Sequence, residues 1–185
     1  MDIFFTLLLV ICTAFLALYT RRLWSATTSL VTGAADTAQK QLRAYVCVSS
    51  AKISFEIAGA PEVQVVLKNC GQTPAHDLRC WIHIWIENYP LKVVLPVPPS
   101  DFPMAVSVLE PGGHLLSAIK KDPPVRPCAL ALLGTPQGTV YVYGQVTYKD
   151  VFSVERITKY RLIYGGNEPV QSQHMMPDSE GNEAT

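Results

Sequence analysis

Charged side chains are scarce in this sequence, and the positive and negative ones cancel. Only 16% of its 185 residues are charged, against about a quarter in an average soluble domain. Lys and Arg together number 15, as do Asp and Glu, so the formal net charge is zero. Nucleic-acid binding relies on a basic excess that neutralises phosphates, and none is visible here. We therefore expect no nucleic-acid partner.

The sequence also lacks the short motifs that mark common enzymes and metal sites. It contains no G-x-S-x-G, no H-E-x-x-H, no glycine-rich phosphate loop and no C-x-x-C pair. His76 and His83 stand seven residues apart, a spacing unlike that of zinc ligands. Cys80 and His83 would point to opposite faces of a strand, because their separation is odd. We predict no catalytic, cofactor-binding or metal-binding residues and no enzymatic activity.

The longest uncharged apolar stretch lies at the N-terminus. Residues 3–19 hold no charged side chain, and Arg21 and Arg22 follow. A helix needs about 20 residues to cross about 30 Å of hydrocarbon, with snorkelling arginines completing the length. Residues 1–22 are therefore predicted to form an uncleaved transmembrane anchor that crosses the membrane once.

Other interpretations of this stretch fit less well. A cleaved signal peptide has a basic start and a small-x-small cleavage site, whereas this chain begins with Met1 and Asp2 and offers no good site. A lipoprotein signal would need a small residue before its cysteine, but Ile11 precedes Cys12. A buried core helix is rarely apolar on every side.

The charges that flank the stretch predict its orientation. Asp2 alone precedes it, whereas Arg21, Arg22, Lys40 and Arg43 follow it. Positively charged flanks stay on the cytoplasmic side of a membrane. We therefore expect a protein of the cell inner membrane, with its N-terminus outside and its C-terminal domain in the cytoplasm.

The five cysteines leave two interpretations open. Cys12 lies in the apolar stretch, and the other four are Cys47, Cys70, Cys80 and Cys128. Those four could form two disulfides in an exported domain, or they could be free thiols that act as small apolar side chains. We favour free thiols, because the predicted orientation places the domain in a reducing compartment.

Behind the anchor, the hydrophobic pattern changes twice. Residues 23–42 have apolar positions at helical spacing, which predicts a helical stalk that is either a spacer or a short self-association seam. From residue 43 onward, apolar and polar residues alternate as in strands. The clear strands are predicted at 43–49, 63–68, 78–86, 139–149 and 154–164, and weaker ones at 53–57, 91–95, 106–109 and 115–120.

Many short strands separated by turn residues predict a mostly β protein. We expect residues 43–164 to form an antiparallel β-sandwich behind the transmembrane helix and stalk. Residues 96–103 are rich in proline, which donates no ladder hydrogen bond, so they form a loop or an edge connection. Residues 165–185 are polar and acidic, and we predict a disordered tail.

The turn after the second clear strand is dense in turn-forming residues. Asn69 and Gly71 tolerate left-handed φ, and Asp77 can hydrogen-bond the local backbone. We assign this turn to structure and not to binding.

Three segments carry a resemblance: RAYV at 43–46, LKNCGQTPAHDL at 67–78 and GQVTYKDVF at 144–152. They resemble a group of uncharacterised bacterial single-pass membrane-anchored proteins with a C-terminal immunoglobulin-like β domain. The resemblance covers about residues 43–164 plus the anchor, and it implies the architecture without an activity. The chain departs from the pattern at Cys70 and at Ser153, where a glycine often follows Asp-Val-Phe.

Four aromatic residues form the candidate interaction surface: Trp81, Trp85, Tyr141 and Tyr143. If their strands share a sheet, one face could carry all four, either as a binding platform or as the core of the sandwich, and we favour the core. The function we predict is a non-enzymatic protein-interaction or accessory module with an unknown protein partner. The alternative is an exported envelope protein with disulfides and a ligand-binding or adhesive role.

Overall fold

The computed structural model describes residues 2–55, 60–99, 104–167, 170 and 172–185. The side chains of Asp2, Pro127 and Cys128 also lie outside this description. Contacts between residues divide the chain into two units, Met1–Leu42 and Arg43–Thr185.

The first unit is one α-helix, α1, spanning Asp2–Leu42. At 1.5 Å per residue it is about 60 Å long, roughly twice the thickness of a bilayer's hydrocarbon core. Its most apolar window has a mean hydropathy of 2.4, and none of that window is buried. The helix is therefore long and apolar enough to span a membrane, and the predicted anchor and stalk are continuous within it.

Several threonine hydroxyls of α1 form hydrogen bonds with the helix's own backbone. The hydroxyl groups of Thr20 and Thr28 donate to the carbonyls of Leu16 and Trp24, four residues back. Such back-bonding removes an unpaired hydroxyl from an apolar helix.

The second unit, Arg43–Thr185, consists mainly of antiparallel strands. Its elements are β1 (Val46–Phe55), β2 (Pro61–Asn69), β3 (Ala75–Glu87), β4 (Ser107–Leu109), β5 (His114–Lys120), α2 (Pro127–Leu130), β6 (Thr139–Lys149), β7 (Glu155–Tyr164), β8 (Met176–Pro177) and β9 (Glu183–Ala184). One sheet has the order β1-β2-β5. The other has the order β4-β3-β6-β7-β8, and β9 also pairs with β7.

Most predicted strands are confirmed, with two differences. The predicted strands at 43–49 and 53–57 are parts of one strand, β1, which has a bulge between Val48 and Ser50; residues 56–57 lie outside the described chain. The strand predicted at 91–95 is wrong, because that segment forms no ladder. Pro90 and Pro96 flank it and donate no ladder hydrogen bond, and β4 already pairs with the free edge of β3.

Side chains from both sheets share one hydrophobic core. The inward-facing residues that are almost fully buried include Val46, Ile53, Val63, Val65 and Leu67 from the small sheet and Leu78, Ile84, Val140, Val142 and Val146 from the large one. Cys80, Ile82 and Ile86 pack against this core. The apolar face of β3 therefore points inward, and the face that carries Trp81 and Trp85 points away from the core, so the interpretation of the aromatic residues as the core of the sandwich is wrong.

Asn69 has a structural role, but left-handed φ is not the reason. Its buried Oδ1 accepts hydrogen bonds from the backbone N–H of Tyr45 (3.2 Å) and Gly71 (3.0 Å). Its Nδ2 donates to the carbonyls of Thr73 (2.8 Å) and Leu109 (3.0 Å). Of the non-glycine residues that the structure describes, only Asp77 and Ser153 have positive φ, so the left-handed prediction is wrong for Asn69.

The φ of Gly71 is also not in the left-handed region. Glycine is needed here because a side chain would clash with the neighbouring backbone. A Cβ at this position would lie 2.6 Å from the backbone nitrogen of Tyr45, closer than real Cβ atoms approach. The start of the domain therefore packs directly on the backbone of this turn.

The hairpin between β6 and β7 is organised by a buried carboxylate. Asp150 Oδ1 accepts hydrogen bonds from the backbone N–H of Phe152 (2.9 Å) and Val154 (3.0 Å), and its Oδ2 accepts one from Arg156 (3.0 Å). Ser153 lies in this turn with a φ of 61°, a conformation that glycine adopts at lower cost.

The described residues of the tail after β7 are docked on the large sheet. The prediction of disorder is therefore wrong for these residues. Strands β8 and β9 both pair with β7. Arg161 Nε lies 2.6 Å from Asp178 Oδ2, and Lys159 Nζ lies 3.0 Å from Glu183 Oε2. The acidic composition that favoured disorder instead complements basic residues of β7; residues 168–169 and 171 lie outside the description.

Candidate functional site

The four predicted site residues share one face of the large sheet, together with His83. We call this set the aromatic face: Trp81, His83 and Trp85 on β3, and Tyr141 and Tyr143 on β6. The antiparallel register places His83 opposite Tyr143 and Trp85 opposite Tyr141. Directly opposite residues in a sheet have Cβ atoms about 5 Å apart, so these side chains contact across the strands.

His83 lies at the centre of the aromatic face, although it is not one of the predicted site residues. Its ring stacks on Trp81 with centroids 5.8 Å apart and an interplanar angle of 4°. Its ring also meets Tyr143 edge-on at 5.7 Å, and Trp81 meets Tyr143 in the same way at 5.4 Å. The parity of β3 places His83 between the tryptophans, and this signal was sufficient to find it.

Most of the aromatic face is covered and does not form an open platform. Trp81, Tyr141 and Tyr143 are 5%, 0% and 8% exposed, and Trp85 is half-buried. Because this face points away from the core between the sheets, the cover comes from elsewhere in the domain. The hydroxyl of Tyr141, for example, donates to the carbonyl of Asn88 (3.4 Å), in the segment that follows β3.

A cavity of about 200 Å³ remains above the aromatic face. Trp81 and Tyr143 line it on the sheet side, and Leu95, Pro96, Val97 and Pro98 line it as well. Ligand pockets for drug-sized molecules measure about 300–1,000 Å³, so this cavity suits one or two side chains better than a large cofactor.

Two polar atoms of the aromatic face are buried without a hydrogen-bond partner among the described residues. They are the hydroxyl of Tyr143 and Nε1 of Trp85. Burial raises the pKa of Tyr143 to about 12, so the phenol is neutral at physiological pH and keeps its proton to donate. A buried donor without a partner costs about 1–3 kcal/mol, which an incoming acceptor would recover.

His83 is also a neutral group. Burial lowers its pKa below the ordinary histidine value, and the positive charge of Lys121 lowers it further. The ring therefore acts as a flat aromatic surface at neutral pH and not as a cation.

Beside the cavity, the loop after β3 exposes apolar side chains. Val94 is 97% exposed and Val97 is 80% exposed, while Val93 is 43% exposed. We call residues 93–97 the valine loop. Scattered exposed apolar residues are normal, but a run of them next to a cavity is typical of interaction sites.

A second feature of the domain is a groove of about 410 Å³ between β1 and β7. Cys47, Lys159 and Met175 are among the residues that line it. The sulfur of Cys47 lies only 2.7 Å from that of Cys70. Over the part of the chain that is described, no group of three or more His, Cys, Asp or Glu side chains could hold a metal ion.

A family model described as "Domain of unknown function (DUF8453)" matches residues 3–165. The chain belongs to the DUF8453 family. The matched region of this DUF8453 chain starts in α1 and ends one residue after β7, so it contains the apolar helix, both sheets and the aromatic face. The docked strands β8 and β9 follow the matched region. No curated protein and no solved structure matches the chain.

Proposed function

We propose that this chain is a non-enzymatic accessory protein, anchored in the inner membrane by a single span, whose cytoplasmic domain binds a protein partner. The observation that carries the proposal is the valine loop, which exposes Val94 and Val97 beside the cavity of the aromatic face. An apolar side chain of a partner would enter the cavity and cover the exposed valines.

The proposal includes an immunoglobulin-like sandwich, which the strand order supports. In such folds the first, second and fifth strands share a sheet, and the third, sixth and seventh strands form the other. Here β1, β2 and β5 form one sheet, and β3, β6 and β7 are neighbours in the other. β4 pairs with β3, whereas the fourth strand of a constant-type domain lies beside the fifth.

An interaction at the valine loop can be tested with a photo-crosslinking amino acid at position 97 of the full chain in its native cells. We expect one discrete crosslinked protein, because Val97 would lie within the interface. The change Val94→Asp should reduce the crosslinked product about tenfold by placing a charge in an apolar contact. The thermal unfolding temperature of this variant should not change, because Val94 is exposed.

The matched control carries the crosslinker at Val108 in β4, which is 55% exposed and lies outside the valine loop. Equal products at positions 97 and 108, or no product at position 97, would contradict the interaction surface.

A second candidate function is that of an exported envelope protein with a ligand-binding or adhesive role. The short distance between the Cys47 and Cys70 sulfurs favours it, because disulfides persist mainly outside the reducing cytoplasm. The groove that Cys47 lines has a volume within the range of small-molecule sites.

Orientation separates the two candidates. Alkaline phosphatase fused after Thr185 should be inactive, because this enzyme needs disulfides that the cytoplasm does not form. Green fluorescent protein at the same position should be bright and serves as the reciprocal control. A strongly active phosphatase with a dark fluorescent fusion would favour the exported candidate.

A further inference from the structure

The two sulfurs of Cys47 and Cys70 are closer than separate thiols normally lie. Their distance is 2.7 Å, whereas a disulfide joins its sulfurs at about 2.0 Å. A relative movement of under about 1 Å would therefore bring them to bonding distance.

The backbone holds both cysteines in this arrangement. Cys47 is paired with Lys68 in the β1–β2 ladder, and the N–H of Cys70 donates to the carbonyl of Tyr45 (2.7 Å). Both sulfurs also approach the carbonyl of Lys68, at 3.6 Å and 4.0 Å. The proximity of the two sulfurs thus follows from strand pairing and from the backbone hydrogen bond of Cys70.

The other described cysteines lack such a partner. Cys80 packs against the core, and its sulfur contacts the hydroxyl of Ser117 (3.8 Å). Cys12 lies in α1. In contrast, Cys70 is exposed, and Cys47 is half-buried at the wall of the open groove, so a small molecule can approach the pair.

We propose that Cys47 and Cys70 are a disulfide-forming pair that reacts with glutathione disulfide. The thiolate of Cys70 attacks one glutathione sulfur, a bond forms between Cys70 and glutathione, and one glutathione thiolate leaves. The thiolate of Cys47 then attacks the Cys70 sulfur and releases the second glutathione. The two protein thiols are oxidised, glutathione disulfide is reduced to two glutathione molecules, and the two cysteine protons go to the released thiolates.

The order of attack follows from exposure. Burial, followed by the hydrogen bond and the charge of Cys70, raises the pKa of the Cys47 thiol to about 11. Cys47 is therefore the poorer first nucleophile, whereas Cys70 is open to solvent.

The bond would tie β1 to the turn after β2. It would close a loop from residue 47 to residue 70, next to the contacts that Asn69 makes with Tyr45. Closing a loop of this size restricts the unfolded chain, so the oxidised domain should unfold at a temperature about 5–10 °C higher than the reduced one.

The test uses the full chain in detergent, incubated at pH 8 with glutathione disulfide and then treated with an alkylating reagent. Peptide mapping by mass spectrometry should find Cys47 and Cys70 joined, with two fewer alkylated thiols than in the reduced protein. The Cys80→Ser variant is the matched control and should form the same bond. Cys47→Ser should stop at the mixed disulfide of Cys70 with glutathione.

Two results would overturn the proposal: complete alkylation of both cysteines after incubation, or glutathione that remains on Cys70 in the unmutated chain. Thermal unfolding under reducing conditions shows whether each serine variant is folded before its result is read. The reaction is measured on purified protein, so its outcome is independent of the orientation and the partner proposed above.

Discussion

Replacing Asn69 with aspartate is expected to reduce the free energy of unfolding of the β domain by at least about 4 kcal/mol. The side chain is fully buried, and its Nδ2 donates to the carbonyls of Thr73 and Leu109. A carboxylate has no proton to donate, so Asn69→Asp would place a negative charge against two carbonyl oxygens away from water. Globular domains are stable by about 5–15 kcal/mol, so the loss is a large share of the total.

Asn69→Ala separates the loss of hydrogen bonds from the effect of the charge. It would leave the N–H groups of Tyr45 and Gly71 without their acceptor, and we expect a loss of about 2–4 kcal/mol. Urea unfolding of the full chain in detergent, followed by near-ultraviolet circular dichroism, measures both changes.

The matched control for the aspartate variant is Gln72→Glu. It makes the same amide-to-acid exchange in the same turn, but on an exposed side chain. We expect this control to change the free energy of unfolding by less than about 0.5 kcal/mol. If Asn69→Asp were within 1 kcal/mol of the control, the hydrogen-bond account of this turn would be incorrect.

Replacing Trp81 with serine is expected to destabilise the domain by about 3–5 kcal/mol. Trp81 is 5% exposed, stacks on His83 and meets the ring of Tyr143. The change removes the largest ring in contact with His83 and enlarges the cavity that Trp81 lines together with the loop after β3.

Trp85→Ser provides the comparison within the same strand. Trp85 is half-buried, and its Nε1 has no hydrogen-bond partner among the described residues, so we expect a smaller loss of about 1–2 kcal/mol. Thermal unfolding of both variants in detergent measures the difference. Equal stability of Trp81→Ser and the unmutated chain would mean that the aromatic face does not contribute to packing.

These expectations affect how mutations in the aromatic face must be interpreted. A tryptophan whose removal unfolds the domain cannot be assigned to partner binding by mutation alone. The valine loop, whose side chains are exposed, is the better place to test an interaction without disturbing the fold.

Local patterns were sufficient for much of the fold. The predicted strand at 139–149 has the bounds of β6, because its eleven residues are rich in Val and Tyr and its valines fall on one side, at 140, 142 and 146. The uncharged N-terminal stretch likewise predicted the helix that became α1. Such patterns depend only on residues that are close together in the sequence. One segment of the chain is therefore sufficient to show them.

The candidate site depended on contacts that no single segment contains. Strand parity predicted a shared face for Trp81 and Tyr143 only if their strands share a sheet, and it could not show that a proline-rich loop lies beside them at the same cavity. The tail was predicted to be disordered from its composition, whereas Arg161 of β7 binds Asp178. The composition of the tail does not show which charged residues of a distant strand will pair with it.

The sequence by itself determined the apolar helix, the strand-rich domain and the faces of the main strands, because these follow from hydrophobic period and turn residues. Only the tertiary structure decided that the asparagine of the turn bonds Leu109, forty residues away, and that Cys47 meets Cys70. Strand pairing brings together groups that are far apart along the chain, and their chemistry depends on distances that exist only after folding.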